Sequence, residues 1–209
     1  MTRTQRAAHL HGIYAIVNEQ ADVVELTRAA LDGGVRIVQY RAKDGIVAAN
    51  ARALRELTRA RRALFILNDD WRAVHAFDAD GVHLGPDDAQ PHELSRIRAA
   101  LADRLIGLSC GTPGEAHVAN GADADYLGVG AVYATGSKAD AGDPIGVSGL
   151  QDVANASTLP VAAIGGITLD VLPQIRASGV AMAAVLSAIS AAADPHAAAA
   201  ALVHAWDSA

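Results

Sequence analysis

Ile13-Tyr14-Ala15-Ile16-Val17-Asn18-Glu19-Gln20 is the stretch on which the fold turns. Its apolar half runs on without strict alternation, as a strand covered on both faces does. Its polar half decides what kind of sheet follows. An open, doubly wound sheet with a dinucleotide site carries G-x-G-x-x-G directly after its first strand. Here Asn18, Glu19 and Gln20 stand in that place. Working outward, similar short runs rich in Val, Ile and Leu recur at 37–40, 64–67, 81–84, 105–108, 126–128, 161–164 and 183–186. Helical patterns separate them, at 22–32, 47–62, 71–77, 91–102, 113–119, 148–156, 169–177 and 195–206. Pro91 and Pro195 suit first-turn positions; Gly33, Gly34, Gly121 and Gly179 suit helix ends. Eight alternating β and α units fit a closed barrel or an open sheet. Without the dinucleotide motif the expectation is an α/β fold, a (β/α)8 TIM barrel. It forms a single domain over residues 1–209, with 1–11 as a flexible N-terminal segment.

The bulk composition agrees. A chain of 209 residues supports one well-buried core and makes a minimal barrel. Hydrophobic residues make up 51% but aromatics only 4%, as in a core packed from Ala, Val, Leu and Ile. A formal net charge of −6 argues against a general nucleic-acid binder. No apolar run approaches the roughly 20 residues of a membrane span, and the polar start, with Arg3 and Arg6, lacks the apolar core of a secretory signal. Cys110 is the single cysteine, so it can form neither an internal disulfide nor a thiolate metal cluster. The expected setting is cytoplasmic, with small molecules rather than nucleic acid or membrane as partners and a homodimer as the candidate assembly.

Barrels gather functional groups at the C-terminal ends of their strands. After the second run, Gln39, Arg41 and Lys43 share one face of an extended segment, which makes an anion site with a hydrogen-bonding partner. After the third and fourth stand Asn68-Asp69-Asp70 and His83-Leu84-Gly85-Pro86-Asp87-Asp88. Asp69 and Asp88 are the candidate ligands of Mg²⁺, a hard cation that shares substrate phosphates; Asp70 suits a cap on the next helix. His83 reads as a packed, hydrogen-bonded residue and is not assigned to catalysis. After the fifth run comes Ser109, a hydrogen-bonding group, since no G-x-S-x-G elbow or triad accompanies it. Thr135-Gly136-Ser137-Lys138 opens a long polar loop, a lid candidate. Gly165-Gly166 and Leu186-Ser187 follow the last two runs, where barrels often bind phosphate on backbone N–H groups. Two anion sites at one mouth point to a phosphate-handling enzyme with two substrates.

The ordered set of motifs resembles thiamine phosphate synthases from about Tyr14 to Ala193. It consists of Val38 to Lys43, Asn68-Asp69, Ala79 to Gly85 with Asp88, Gly121-Ala122-Asp123 with Asp125-Tyr126, Thr135 to Lys138, Ala163 to Ile167 and Ser187-Ala188-Ile189. The resemblance implies a transferase that joins hydroxymethylpyrimidine diphosphate to a thiazole phosphate and releases diphosphate through a pyrimidine carbocation. By it, Gln39, Tyr40, Arg41, Ala42, Lys43, Asn68 and Lys138 would hold the pyrimidine diphosphate, and Asp69 and Asp88 the Mg²⁺. Ser109 would contact the pyrimidine, and Thr135, Gly136, Ser137, Gly166, Leu186 and Ser187 would hold the thiazole phosphate. Arg41, Lys43, Ser109 and Lys138 would carry the catalysis. Pro86, Gly111, Ala131, Ala134 and Met182 depart from the family's usual residues. The alternatives are a thiazole tautomerase or regulatory relative, a non-catalytic phosphate-ligand-binding barrel, and a sugar-phosphate isomerase or aldolase on the same fold. Retention of Gln39, Arg41, Lys43 and both aspartates favours the synthase over the tautomerase.

Overall fold

Eight parallel strands close on themselves in chain order, β8 returning to β1. They are β1 Gly12–Asn18, β2 Ile37–Arg41, β3 Leu64–Asn68, β4 Gly81–Leu84, β5 Leu105–Cys110, β6 Tyr126–Val129, β7 Val161–Ile164 and β8 Met182–Val185. The computed structural model describes residues 1–86, 91–137 and 142–208. Around the strands run α1 Arg3–Ala7, α2 Val23–Asp32, α3 Ala48–Ala60, α4 Pro91–Leu101, α5 Pro113–Asn120, α6 Gly146–Ala156, α7 Leu172–Ala177, α8 Ser187–Ser190 and α9 Pro195–Asp207.

The period-two geometry of the strands splits the apolar residues into two cores. Tyr14, Ile16, Ile37, Leu64, Ile66, Leu105, Tyr126, Ala162, Met182 and Ala184 point inward and fill the barrel. Their neighbours, among them Ala15, Val17, Val38, Phe65 and Leu67, point outward and pack beneath the helices. The filling is uneven. Tyr14 and Ile16 on β1 are bulky, whereas Gly128, Ala162 and Ala184 on β6 to β8 are small, and the cavity opens above these small residues.

Helix ends follow local chemistry. Thr112 and Glu115 form a reciprocal capping box on α5, and Asp194 caps α9, whose first residues include Pro195. Two expectations need correction. The pattern over 71–77 yields only a 3-10 turn, Trp71–Ala73, capped by Asp70. Turns follow it as far as Asp78, whose left-handed φ of 50° ends them before the chain enters β4 at Gly81. Residues 1–11 are not a loose segment. Thr2 and Gln5 cap α1 reciprocally, and Leu10 joins the inward-facing core at the closed end of the barrel. Arg6 is 5% exposed and pairs through Nε with Oδ1 of the fully buried Asp80 at 2.9 Å. The other carboxylate oxygen of Asp80 accepts from Arg55 at 2.8 Å and from the Phe65 N–H at 3.1 Å.

Candidate active site

The cavity at the C-terminal ends of the strands measures about 390 Å³. Inward alternation on β2 and just beyond it brings Gln39, Arg41 and Lys43 to its wall, as their shared face predicts. Gln39 is 3% exposed, so its amide must be satisfied internally; its Nε2 donates to the Tyr14 hydroxyl at 2.7 Å. Arg41 is half-buried, with Nη1 at 3.4 Å from Asn18 Oδ1, and the Lys43 side chain is exposed at the rim.

Tyr40 and Ala42 are not brought to the cavity. They alternate with the residues that are, so Tyr40 points outward beneath the helices, its hydroxyl donating to Glu19 and accepting from the Val47 N–H at 3.3 Å. Burial, reinforced by Glu19, holds that phenol well above its ordinary range. Ala42 packs against the outer core. Gly136 is exposed and lies outside the lining, whereas its neighbours Thr135 and Ser137 are part of it.

Asn68 and Asp69 lie side by side at the mouth, the Asn68 amide donating to the Asp69 carboxylate. Asp69 adopts a left-handed φ of 61°, and its N–H donates to the His83 carbonyl at 2.9 Å. That is a conformation which non-glycine residues adopt uncommonly. Asp88 and Lys138 lie outside the described residues. Among the described residues no group of three or more His, Cys, Asp or Glu gathers at one point. Asp69 therefore offers one hard oxygen donor, which fits Mg²⁺, an ion normally held by one or two carboxylates plus phosphate oxygens.

Across the cavity, Gly165 and Gly166 take φ of 97° and 65°. A Cβ at Gly166 would stand 2.7 Å from the Ala134 carbonyl, so the β7 loop needs glycine there on both counts. Leu186 and Ser187 line the cavity at the start of the short helix α8. The first N–H groups of a helix have no intrahelical acceptor, and loops after strands seven and eight with a short helix are a recurrent phosphate cradle.

The centre of the mouth holds what the sequence reading left out. His83 lines the cavity between two hydroxyls: Nδ1 lies 3.2 Å from Tyr126 Oη and Nε2 lies 3.2 Å from Ser109 Oγ. Tyr126 Oη is 2.9 Å from Tyr14 Oη. Burial raises both phenols well above their ordinary range, so both are neutral hydroxyls. The signal for this was present: Gly107 and Gly128 sit where inward-pointing side chains belong. A Cβ at Gly107 would fall 2.2 Å from the Tyr126 ring, and one at Gly128 would fall 2.8 Å from His83 Cε1. Cys110 is buried and its thiol is pushed up to about 11, chiefly by that burial, which leaves it an inert packing group.

Comparison with known proteins agrees with this geometry. Residues 13–189 match the family model described as thiamine monophosphate synthase. A thiamine-phosphate synthase of Caldivirga maquilingensis is 39% identical over 204 residues, 95% of this chain and 98% of that one. One of Anaeromyxobacter dehalogenans is 41% identical over 204 residues, 97% and 90% of the two chains. Among solved structures, thiamine phosphate pyrophosphorylase from Pyrococcus furiosus superposes with a TM-score of 0.87 at 34% identity, covering 96% of this chain and 97% of that one. With a family model over residues 13–189 and relatives 39% and 41% identical over 204 residues, the chain belongs to the thiamine monophosphate synthase family.

Proposed function

We propose that this barrel is a Mg²⁺-dependent thiamine-phosphate synthase. It would couple 4-amino-2-methyl-5-hydroxymethylpyrimidine diphosphate with a thiazole phosphate, giving thiamine phosphate and diphosphate. The observation that carries this reading is one continuous cavity with two dissimilar anion sites. Arg41, Lys43, Asn68 and Asp69 stand on one side, and Gly166 and Ser187 on the other.

The pyrimidine would sit toward the barrel axis near Gln39 and Ser109, with its diphosphate at Arg41, Lys43, Asn68 and Lys138. Thr135, Ser137, Gly166 and Ser187 would orient the thiazole phosphate so that the ring nitrogen faces the pyrimidine methylene. The C–O bond to diphosphate breaks, the electron-rich aminopyrimidine stabilises the resulting cation, and the C–N bond forms. No proton transfer and no protein nucleophile are needed, in keeping with the unreactive Cys110 thiol. Bound at Asp69 and Asp88, Mg²⁺ would neutralise charge on the diphosphate. Arg41 and Lys43 would stabilise the same developing charge, the electrostatic form of catalysis. Enclosure of the reacting atoms would keep water from the cation.

The test is diphosphate release by purified protein with pyrimidine diphosphate, thiazole phosphate and Mg²⁺, omitting each in turn. Release that requires all three, matched by thiamine phosphate formed, is the expected result. A folded protein that binds the thiazole phosphate but releases no diphosphate in any combination would turn the reading toward a binding barrel or a tautomerase.

A further inference from the structure

Five polar side chains from five strands form one unbroken line across the barrel interior. Gln39 Nε2 donates to Tyr14 Oη at 2.7 Å; Tyr14 Oη meets Tyr126 Oη at 2.9 Å; Tyr126 Oη meets His83 Nδ1 at 3.2 Å; His83 Nε2 meets Ser109 Oγ at 3.2 Å. Distances alone leave the direction of the last three bonds open, because each hydroxyl can donate or accept and a neutral imidazole has two tautomers.

With the Gln39 amide nitrogen facing Tyr14, proton counting gives the direction. Tyr14 is 2% exposed and Tyr126 is fully buried, so each hydroxyl hydrogen is best met by an acceptor within the line. Suppose Tyr126 donated to Tyr14. Tyr14 would then accept twice, from Gln39 and Tyr126, and its own hydrogen would have no acceptor in the line, and a buried unmet donor is destabilising. In the opposite sense every hydrogen is used. Tyr14 donates to Tyr126, Tyr126 donates to Nδ1, the imidazole carries its proton on Nε2, and Nε2–H donates to Ser109. The Ser109 hydroxyl hydrogen is then left for whatever enters the cavity.

We propose that His83 is a positioning residue for substrate recognition. Fixed as the Nε2–H tautomer by the line from Gln39, it turns Ser109 into a hydrogen-bond donor to the ligand. Taken with the proposed function, on which this part rests, Ser109 reads a ring nitrogen of the aminopyrimidine and not its amino group. The barrel makes room for the arrangement with Gly107 beneath Tyr126 and Gly128 beside His83, positions where a Cβ would fall at 2.2 and 2.8 Å from those rings. A line of this kind selects an aromatic base with a bare ring nitrogen, and disfavours the oxo tautomer of the same ring, whose N–H would oppose the serine hydrogen.

Two measurements test it. The first needs no substrate: ¹⁵N–¹H long-range correlation spectra of protein labelled at histidine, with the His83 signals assigned by their loss in His83→Gln. The Nε2–H tautomer is expected in wild type, and Tyr126→Phe, which removes the donor to Nδ1, should admit the other tautomer. A predominant Nδ1–H form in wild type overturns the proposal.

The second is binding, without thiazole phosphate, of the aminopyrimidine monophosphate, its two single-nitrogen pyridine analogues and its deamino analogue. Wild type should bind one pyridine analogue about tenfold less tightly than the parent, the scale of one hydrogen bond in a dry site. That difference should vanish in Ser109→Ala and in His83→Leu, and return in His83→Gln, whose amide can still donate toward Ser109. Ser109→Ala keeps the test alive if His83→Leu does not fold. If instead the penalty of the deamino analogue is the one that vanishes, Ser109 is an acceptor and the inference is wrong while the synthase reading stands. If the parent itself does not bind wild type, the synthase reading fails while the tautomer result stands on its own.

Discussion

At the residue scale, each side chain at the mouth makes its own separable demand. Asp69→Ala should lower Mg²⁺-dependent turnover by about a hundredfold, the order found when a charge-stabilising group is removed. Rates measured against Mg²⁺ concentration check this, and unchanged turnover with an unaltered metal dependence would remove Asp69 from the metal site. Ser187→Ala should act differently, because backbone N–H groups remain around the phosphate. About a five- to tenfold rise in KM for the thiazole phosphate, with kcat nearly unchanged, corresponds to one lost hydrogen bond. Cys110 should resist alkylation of the native protein at pH 7 to 8, with labelling rising only as pH climbs toward the thiol's value of about 11. Rapid modification at neutral pH would show that the thiol is neither buried nor neutral. Much of the mouth was legible from alternation: Gln39, Arg41 and Lys43 follow from period two alone. Tyr40 and Ala42 stay off the cavity wall for the same reason, since a strand admits only alternate side chains of a contiguous motif to the mouth. His83 reads from sequence as a packed, hydrogen-bonded strand histidine, and it is one, but which inward residues of the barrel it touches is not written in the sequence. Tyr14, His83 and Tyr126 are 112 residues apart end to end, yet meet through hydroxyls.

At the scale of elements, the strands were readable and the N-terminal helix was not. A strand buried on both faces announces itself as an apolar run, and the eight runs fall on the eight strands. Helix α1 offers no apolar stripe over its five residues, and its anchor is an arginine whose partner, Asp80, lies 74 positions away. Without Arg6, Asp80 keeps its pairing with Arg55, so what is lost is one buried charge-assisted hydrogen bond and not the whole compensation of the charge. Arg6→Ala should therefore lose about 1.5–3 kcal/mol of unfolding free energy, measured by urea denaturation. Nearby Asp78 gives a pH signature. Burial alone would raise its carboxyl, but Arg104 and Arg55 outweigh that and hold it below its usual value. The folded state thus prefers the ionised form. The stability advantage of wild type over Asp78→Asn should be present in full above the ordinary carboxylate pKa of about 4, and should disappear as pH falls through the depressed value. An advantage that persists unchanged at pH 2 would show that the carboxylate charge is not its source.

At the scale of the whole molecule, anchoring and chemistry occupy opposite ends of one barrel. Helix α1, Leu10, Arg6 and Asp80 close one end, and the 390 Å³ cavity opens at the other. Deleting residues 1–11 should lower Tm by about 10 °C, taking about 3–5 kcal/mol for the Arg6 hydrogen bond and the buried Leu10 together, at about 2–4 °C per kcal/mol. Assayed well below that temperature, kcat should stay close to wild type. A selective fall in kcat with Tm unchanged would contradict this division. The uneven filling of the interior has a further consequence for how such a protein can diversify. The space above β6 to β8 is defined by what Gly128, Ala162 and Ala184 lack, not by what the loops add. Exchanging one alanine for a larger aliphatic residue would redraw the outline of the chamber while leaving Arg41, Lys43 and the Gly165-Gly166 turn where they are. The phosphate grips are thereby a constant of the scaffold, and the shape of the admitted guest becomes a variable that a few methyl groups can retune.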